Sequence, residues 1–133
     1  MLADELLGAT REDLRDPLPG VYHAAFSAIE SHPNQLLAVA VHNGVIVGTL
    51  QLSFLPSLAR KGALRGQIEA VRVATNARGS ELGKAMIDRA IEECRQRGCS
   101  LVQLTSDNAR LNAHRFYEAL GFVASQAGFK LSL

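Results

Sequence analysis

The sequence predicts an α/β fold, an α+β mixed sheet with helices on its faces, and three observations carry that prediction. Asn43-Gly44 separates two alternating apolar runs, the signal of a β-hairpin. A third strand-like run, Leu64 to Ala74, leads through a short loop into a long amphipathic stripe that starts at Leu82. A further strand, Leu101 to Leu104, precedes a helix carrying Ala113, Phe116, Tyr117 and Leu120. A hairpin followed by strand–helix units calls for a sheet with helices packed on it. The whole, residues 1–133, reads as a single domain.

Each element follows from its own residues. Leu2 to Leu7 reads as the end of a short helix stopped by Gly8, and Ala9 to Pro19, charged and with two prolines, as a loop. Gly20 to Ser31 reads as a helix with Val21, Ala24, Ala25 and Ile29 on its apolar face, ended by His32-Pro33-Asn34. Leu37, Val39 and Val41 alternate as in a strand, and Val45 to Leu55 continues the hairpin. Pro56 to Gly62 has the composition of a mobile connection, and Ile68, Val71 and Val73 are apolar in the strand after it. Thr75 to Ser80 is a loop. The next helix aligns Leu82, Ala85, Met86, Arg89, Ala90, Glu93 and Cys94 on one stripe and ends at Arg95-Gln96-Arg97-Gly98, cations followed by glycine. Asp107 or Asn108 can cap the last helix, which Gly121 closes. Phe122 to Ser125 and Phe129 to Leu133 read as a final pair of short strands.

Composition narrows the function. There are 14 Lys plus Arg against 13 Asp plus Glu, a formal net charge of +1, which argues against a nucleic-acid binder and for a small-molecule partner. Apolar residues make up 47% and charged residues 20%, which excludes a disordered tail. The two cysteines, Cys94 and Cys99, have no second pair to complete a zinc site, and no histidine has a partner at ligand spacing, so no metal is expected. His23, His32, His42 and His114 read as surface residues. Leu36 to Ala59 lacks charge, but Asn43-Gly44 and interspersed polar residues fit two strands rather than a membrane span. The acidic start is unlike a signal peptide, which points to a cytoplasmic, reduced protein.

The strand–loop–helix from Ile68 to Ala90 carries the chemistry. Such a junction aims free backbone N–H groups and the positive end of the helix dipole at one point, where an anion is favoured. In Arg78-Gly79-Ser80-Glu81-Leu82-Gly83-Lys84 the glycines permit close backbone approach, and Arg78 and Lys84 add positive charge. The same glycines can equally make a simple turn. The spacing is not that of a Walker loop, and no Rossmann fingerprint is present.

Two motifs, in order, resemble the GNAT superfamily of acetyl-CoA-dependent N-acetyltransferases. The family signature Arg/Gln-x-x-Gly-x-Gly/Ala corresponds to Arg78-Gly79-Ser80-Glu81-Leu82-Gly83, with Glu81 at the place of its central glycine. Its late helix, Asn-x-x-Ala-x-x-Phe-Tyr-x-x-Leu-Gly-Phe, is matched from Ala113 to Phe122, with Arg110 where the family has asparagine. The resemblance implies the GNAT fold, acetyl-CoA as cosubstrate and a small-molecule primary amine as acceptor. It also implies that Arg78 to Lys84, Arg110 and Phe116 contact the cosubstrate, and that the backbone of Val71, Arg72 and Val73 holds its pantetheine arm.

Direct transfer needs a base for the amine and an acid for the departing thiolate. Glu69 is the acidic residue on the central strand and suits the first role, directly or through water; otherwise it pairs with Arg65 or Arg72. Tyr117, in the family's Phe-Tyr position, suits the second, or else it is core. A catalytically inactive acyl-CoA-binding sensor or interaction module is the alternative reading, and Glu81 is the residue that favours it. Arg60, Lys61 and Arg65 can favour an acceptor that carries a carboxylate or phosphate. The resemblance also implies that the family's first strand is lacking, which would bare the edge at Leu36 to His42 and points either to a misplaced or truncated start or to a homodimer that covers it.

Overall fold

The computed structural model describes residues 19–79 and 81–133; the expected helix at Leu2 to Leu7, and most of the loop after it, lie outside them. The chain divides into two compact units, Met1–Gln103 and Leu104–Leu133. In the first, helix α1 (Gly20–Ser31) precedes strands β1 (Gln35–His42), β2 (Val45–Pro56) and β3 (Leu64–Val73). Helix α2 (Leu82–Gln96) and strand β4 (Leu101–Leu104) follow. The sheet order is β1-β2-β3-β4, with β1 at one edge among the described residues. β1–β2 and β2–β3 are antiparallel. Ser100 N–H donates to the Leu64 carbonyl at 2.9 Å and Gln103 to Gln67 at 2.9 Å, so residue numbers rise together and β4 runs parallel to β3.

Asn43 at φ 51° and Gly44 at φ 77° make the hairpin turn, both in the left-handed region that a two-residue turn of matching twist requires. The Pro56 to Gly62 connection, expected as mobile, contains one tight turn at Ala59–Gly62, in which Arg60 and Lys61 hold φ of 54° and 62°. The Gly62 and Ala63 amides close that turn on the Leu58 and Ala59 carbonyls.

The core lies between α2 and one face of the sheet. Leu50, Leu52 and Phe54 of β2 and Ile68 of β3 meet Met86, Ile87, Ala90 and Cys94 of α2, all buried. Each Leu, Ile, Phe or Met among them contributes about 1.5–3 kcal/mol by leaving water. Ile87, absent from the expected stripe, is fully buried, while Ala85 is exposed. The apolar surface of α2 is therefore rotated toward Ile87, the larger side chain. Glycines set how closely α2 approaches. A Cβ on Gly48 would lie 2.5 Å from Met86 Sδ, and one on Gly66 would overlap Cys94 Sγ.

The facing of β1 is set by its register with β2. Register pairs Leu36 with the buried Leu52, so Leu36, Ala38 and Ala40 face the core, and Leu37, Val39 and Val41 are exposed. Alternation finds the two faces but not which of them α2 covers. On α1, likewise, Val21 is exposed and no residue is fully buried.

In the second unit, helix α3 (Leu111–Ala119) starts later than expected, with Arg110 at its N-cap and no side-chain cap bond. Asp107 does not cap it, because its Oδ1 accepts from the Ala109 amide two residues on and closes a separate turn. His114 is half-buried rather than on the surface, its ring 2.9 Å from the Asp107 carbonyl. The expected final strands do not form: no partner strand reaches them among the described residues, and Phe129 is 95% exposed.

Gly66→Ala is expected to destabilise the fold by about 1–3 kcal/mol, since the added methyl must displace a buried sulfur. Gly48→Ala should cost less, because Met86 can swing aside; urea midpoints of the two variants measure the difference.

Candidate active site

The site is built around an irregularity in β3. Gln51 pairs with Glu69 and Thr49 with Arg72, so Ala70 and Val71 together oppose Leu50. This is a β-bulge, and it holds Ala70 at φ 52°. Without the extra residue, Arg72 would fall on the α2 face; with it, Glu69 and Arg72 both stand on the opposite face. β4 has four residues and starts beside Leu64, so it runs out near Ile68. Beyond that point no described strand pairs the β4-facing edge of Val71, Arg72 and Val73, where an extended arm with amide groups can add to the sheet.

Past Val73 the chain turns toward α2. Thr75–Ala77 forms a single 3-10 turn, Arg78 Nε donates to the Val73 carbonyl at 3.2 Å, and Gly79 sits at φ 81°. Ser80 lies outside the described residues. Glu81 occupies the N-cap of α2, is exposed, and makes no side-chain cap bond, and the first turn has no acidic residue. The first-turn amides of α2 point out of the helix end, where the positive end of the helix dipole favours an anion. Lys84 is engaged from below: its Nζ lies 2.7 Å from Asp88, and that hydrogen bond holds its pKa above the ordinary lysine value.

Glu69 is exposed, and its partner is neither Arg65 nor Arg72. Gln67 Nε2 donates to Glu69 Oε1, and Gln103 Nε2 donates to Gln67 Oε1 at 2.9 Å. Arg65 Nη1 donates to Gln103 at 3.4 Å. On the same face Gln51 and Ser53 both donate to Gln35 Oε1, at 3.0 and 2.9 Å. The sheet therefore presents a polar face of linked amides leading to one carboxylate. The expected site residues omit Gln35, Gln51, Ser53, Gln67 and Gln103. Their signal is the polar alternation of Gln51-Ser53 and Arg65-Gln67-Glu69, which marks a strand face not committed to core. Arg72, half-buried, gives Nη1 to the Val71 carbonyl at 2.7 Å and leaves Nε buried without a partner. A groove of about 310 Å³ lies between α2 and β1, on the opposite face from Glu69.

Arg110, Phe116 and Tyr117 belong to the second unit. Tyr117 is half-buried between two rings, edge-on to Phe116 at 5.2 Å and to Phe122 at 5.9 Å between centroids. These contacts fix the phenol ring by packing. Among the described residues no group of three or more His, Cys, Asp or Glu side chains converges, and no helix is long and apolar enough to cross a membrane.

Ala70→Val should destabilise the protein by about 1–3 kcal/mol, because a β-branched residue resists positive φ, and Ala70→Gly should be neutral or stabilising. Chemical denaturation of the pair reports the strain held at the bulge.

The acetyltransferase (GNAT) family profile matches residues 3–122. A glucosamine 6-phosphate N-acetyltransferase of Trypanosoma brucei brucei is 37% identical over 131 residues, covering 97% of this chain and 86% of its own. An aminoalkylphosphonate N-acetyltransferase of Salmonella typhimurium is 31% identical over 112 residues, covering 84% of this chain and 72% of its own. A solved structure described as a transcriptional regulator from Bacillus halodurans C-125 has a TM-score of 0.97 at 46% identity, over 100% of this chain and 89% of the other.

Proposed function

The chain belongs to the GNAT acetyltransferase family and is an acetyl-CoA-dependent N-acetyltransferase, and on that premise we propose a direct transfer in which Glu69 is the base and Tyr117 the acid. The single observation that carries the assignment of Glu69 is its place on the polar face of β3, beside the bulge and the unpaired stretch of strand edge. The diphosphate of acetyl-CoA is held by the α2 amides of Leu82, Gly83 and Lys84, with Arg78, Gly79 and Ser80 leading into them. Glu81, being exposed, turns its carboxylate to solvent. The pantetheine arm lies along Val71 to Val73 as an added strand. Arg110 and Phe116 complete the cosubstrate contacts.

The acceptor enters as an ammonium and must lose a proton before it can attack. Glu69, directly or through one water, takes that proton, and Gln67 holds the carboxylate in place. The neutral amine adds to the thioester carbonyl, forming the C–N bond. The tetrahedral intermediate then expels the thiolate and sheds the second amine proton. The Tyr117 phenol donates its proton to that thiolate and recovers one from solvent.

The acceptor is a small primary amine bearing a phosphate or phosphonate. The two relatives support this, since both are described by acceptors of that kind. Arg72 supplies the matching group: it stands on the Glu69 face with a buried, unpartnered Nε. A homodimer closing over the exposed β1 edge is supported by Leu37, Val39 and Val41, and light scattering tests it.

A second reading, a GNAT-like acyl-CoA-binding interaction module, draws support from the description of the Bacillus halodurans structure. Thiol release from acetyl-CoA over a panel of amines separates the two, and no release together with no calorimetric binding of CoA would sink the enzymatic reading. In that assay Glu69→Gln and Tyr117→Phe should each lower turnover about 100-fold with CoA binding retained. Arg72→Ala should raise KM about 10–100-fold for phosphorylated amines while sparing their neutral counterparts. Glu81→Gly should leave CoA affinity flat, because the side chain already faces solvent.

A further inference from the structure

The crossover from α2 to β4 brings together two thiols on the α2 side of the sheet, the face opposite Glu69. At the end of α2, Gly98 takes φ 82°, its amide donates to the Arg95 carbonyl at 3.1 Å, and the Cys99 amide donates to the Cys94 carbonyl at 2.9 Å. This Schellman turn folds the residue after the glycine back over the last helical turn, and a pair of apolar side chains commonly fills the contact. Here both positions are cysteine, and both are free thiols. Their sulfurs share the space above Gly66 of β3: a Cβ there would overlap Cys94 Sγ and sit 3.7 Å from Cys99 Sγ. Cys94 is 1% exposed, whereas Cys99 is half-buried and reachable from solvent.

We propose that Cys94 and Cys99 are a modification site for low-molecular-weight disulfides such as oxidised glutathione, closing to an intramolecular disulfide with the backbone as it stands. The Cys99 thiolate attacks one sulfur of the reagent, breaks its S–S bond, expels one thiolate and forms a mixed disulfide. The Cys94 sulfur then loses its proton, attacks the Cys99 sulfur and expels the second thiolate. Two protein S–H bonds are lost and one S–S bond is gained; the reagent leaves as two reduced thiols. Burial first, and then the neighbouring Cys99 thiol, push the Cys94 thiol up to about 12, which makes Cys99 the point of entry and Cys94 the resolving partner. The turn places residues of this spacing within the Cα separation that a disulfide spans.

Incubating the intact chain with oxidised glutathione tests this. Both free thiols should disappear under denaturing titration. The intact mass should fall by two hydrogens with no glutathione attached, and peptide mapping should join Cys94 to Cys99. The melting temperature should rise by about 5 °C, and dithiothreitol should reverse every change. Cys94→Ala should instead retain a stable glutathione adduct on Cys99, and Cys99→Ser should not react. If Cys94→Ala fails to fold, the wild-type peptide map decides by itself. A lasting glutathione adduct on wild-type Cys99, a cross-linked dimer through Cys99, or two unreacted thiols would each overturn the proposal.

Discussion

The close seat of α2 on β2 and β3 is the constraint from which the rest follows. Gly48 and Gly66 carry no side chain where Met86 and Cys94 press against the sheet, so the helix lies against the backbone of the strands. Interiors are packed to crystal-like density, and a helix with such a fit has one seat rather than several. That seat decides where each end of the helix goes. Its N-terminus follows β3 beyond the bulge, across the short turn at Thr75–Ala77. Its C-terminus is pinned by Arg97, whose guanidinium lies 4.0 Å over the Phe54 ring while its Nε meets Glu93 at 3.2 Å.

The two faces of the sheet divide the labour. One is sealed by α2 and supplies most of the burial. The other carries linked amides and one carboxylate, an arrangement unsuited to a core because buried polar groups need full partnering. The bulge at Ala70 and Val71 joins the two roles: one extra residue returns Arg72 to the polar face beside Glu69. A strained backbone held by its surroundings, next to a carboxylate, is how folds often position reacting groups.

Local chemistry made most elements legible. Asn43-Gly44 announced the hairpin because few other residue pairs tolerate two successive left-handed positions. The Leu82 to Cys94 stripe announced α2 because its period is helical. The facing of β1 was not legible, because Leu36-Ala38-Ala40 and Leu37-Val39-Val41 are both apolar and only α2 selects between them. The last helix was placed too early, since Asp107 suits a cap as well as the turn it actually closes. The expected final strands fail for a related reason: alternation marks a strand, but only a neighbour makes one.

The sequence by itself determined the family, through the Arg78 to Gly83 junction and the Ala113 to Phe122 helix, because these motifs are local and their spacing survives without coordinates. It also singled out Glu69 and Tyr117 by residue type and position. Only the tertiary structure decided what stands behind Glu69, since Gln67, two residues back on the same strand, is itself held by Gln103 of β4 through strand register. The same holds for Cys94 and Cys99, which looked isolated as a pair until the turn at Gly98 folded one over the other. Residue types carry chemistry, but register and helix seating decide which groups meet, and both are set by packing across the whole sheet.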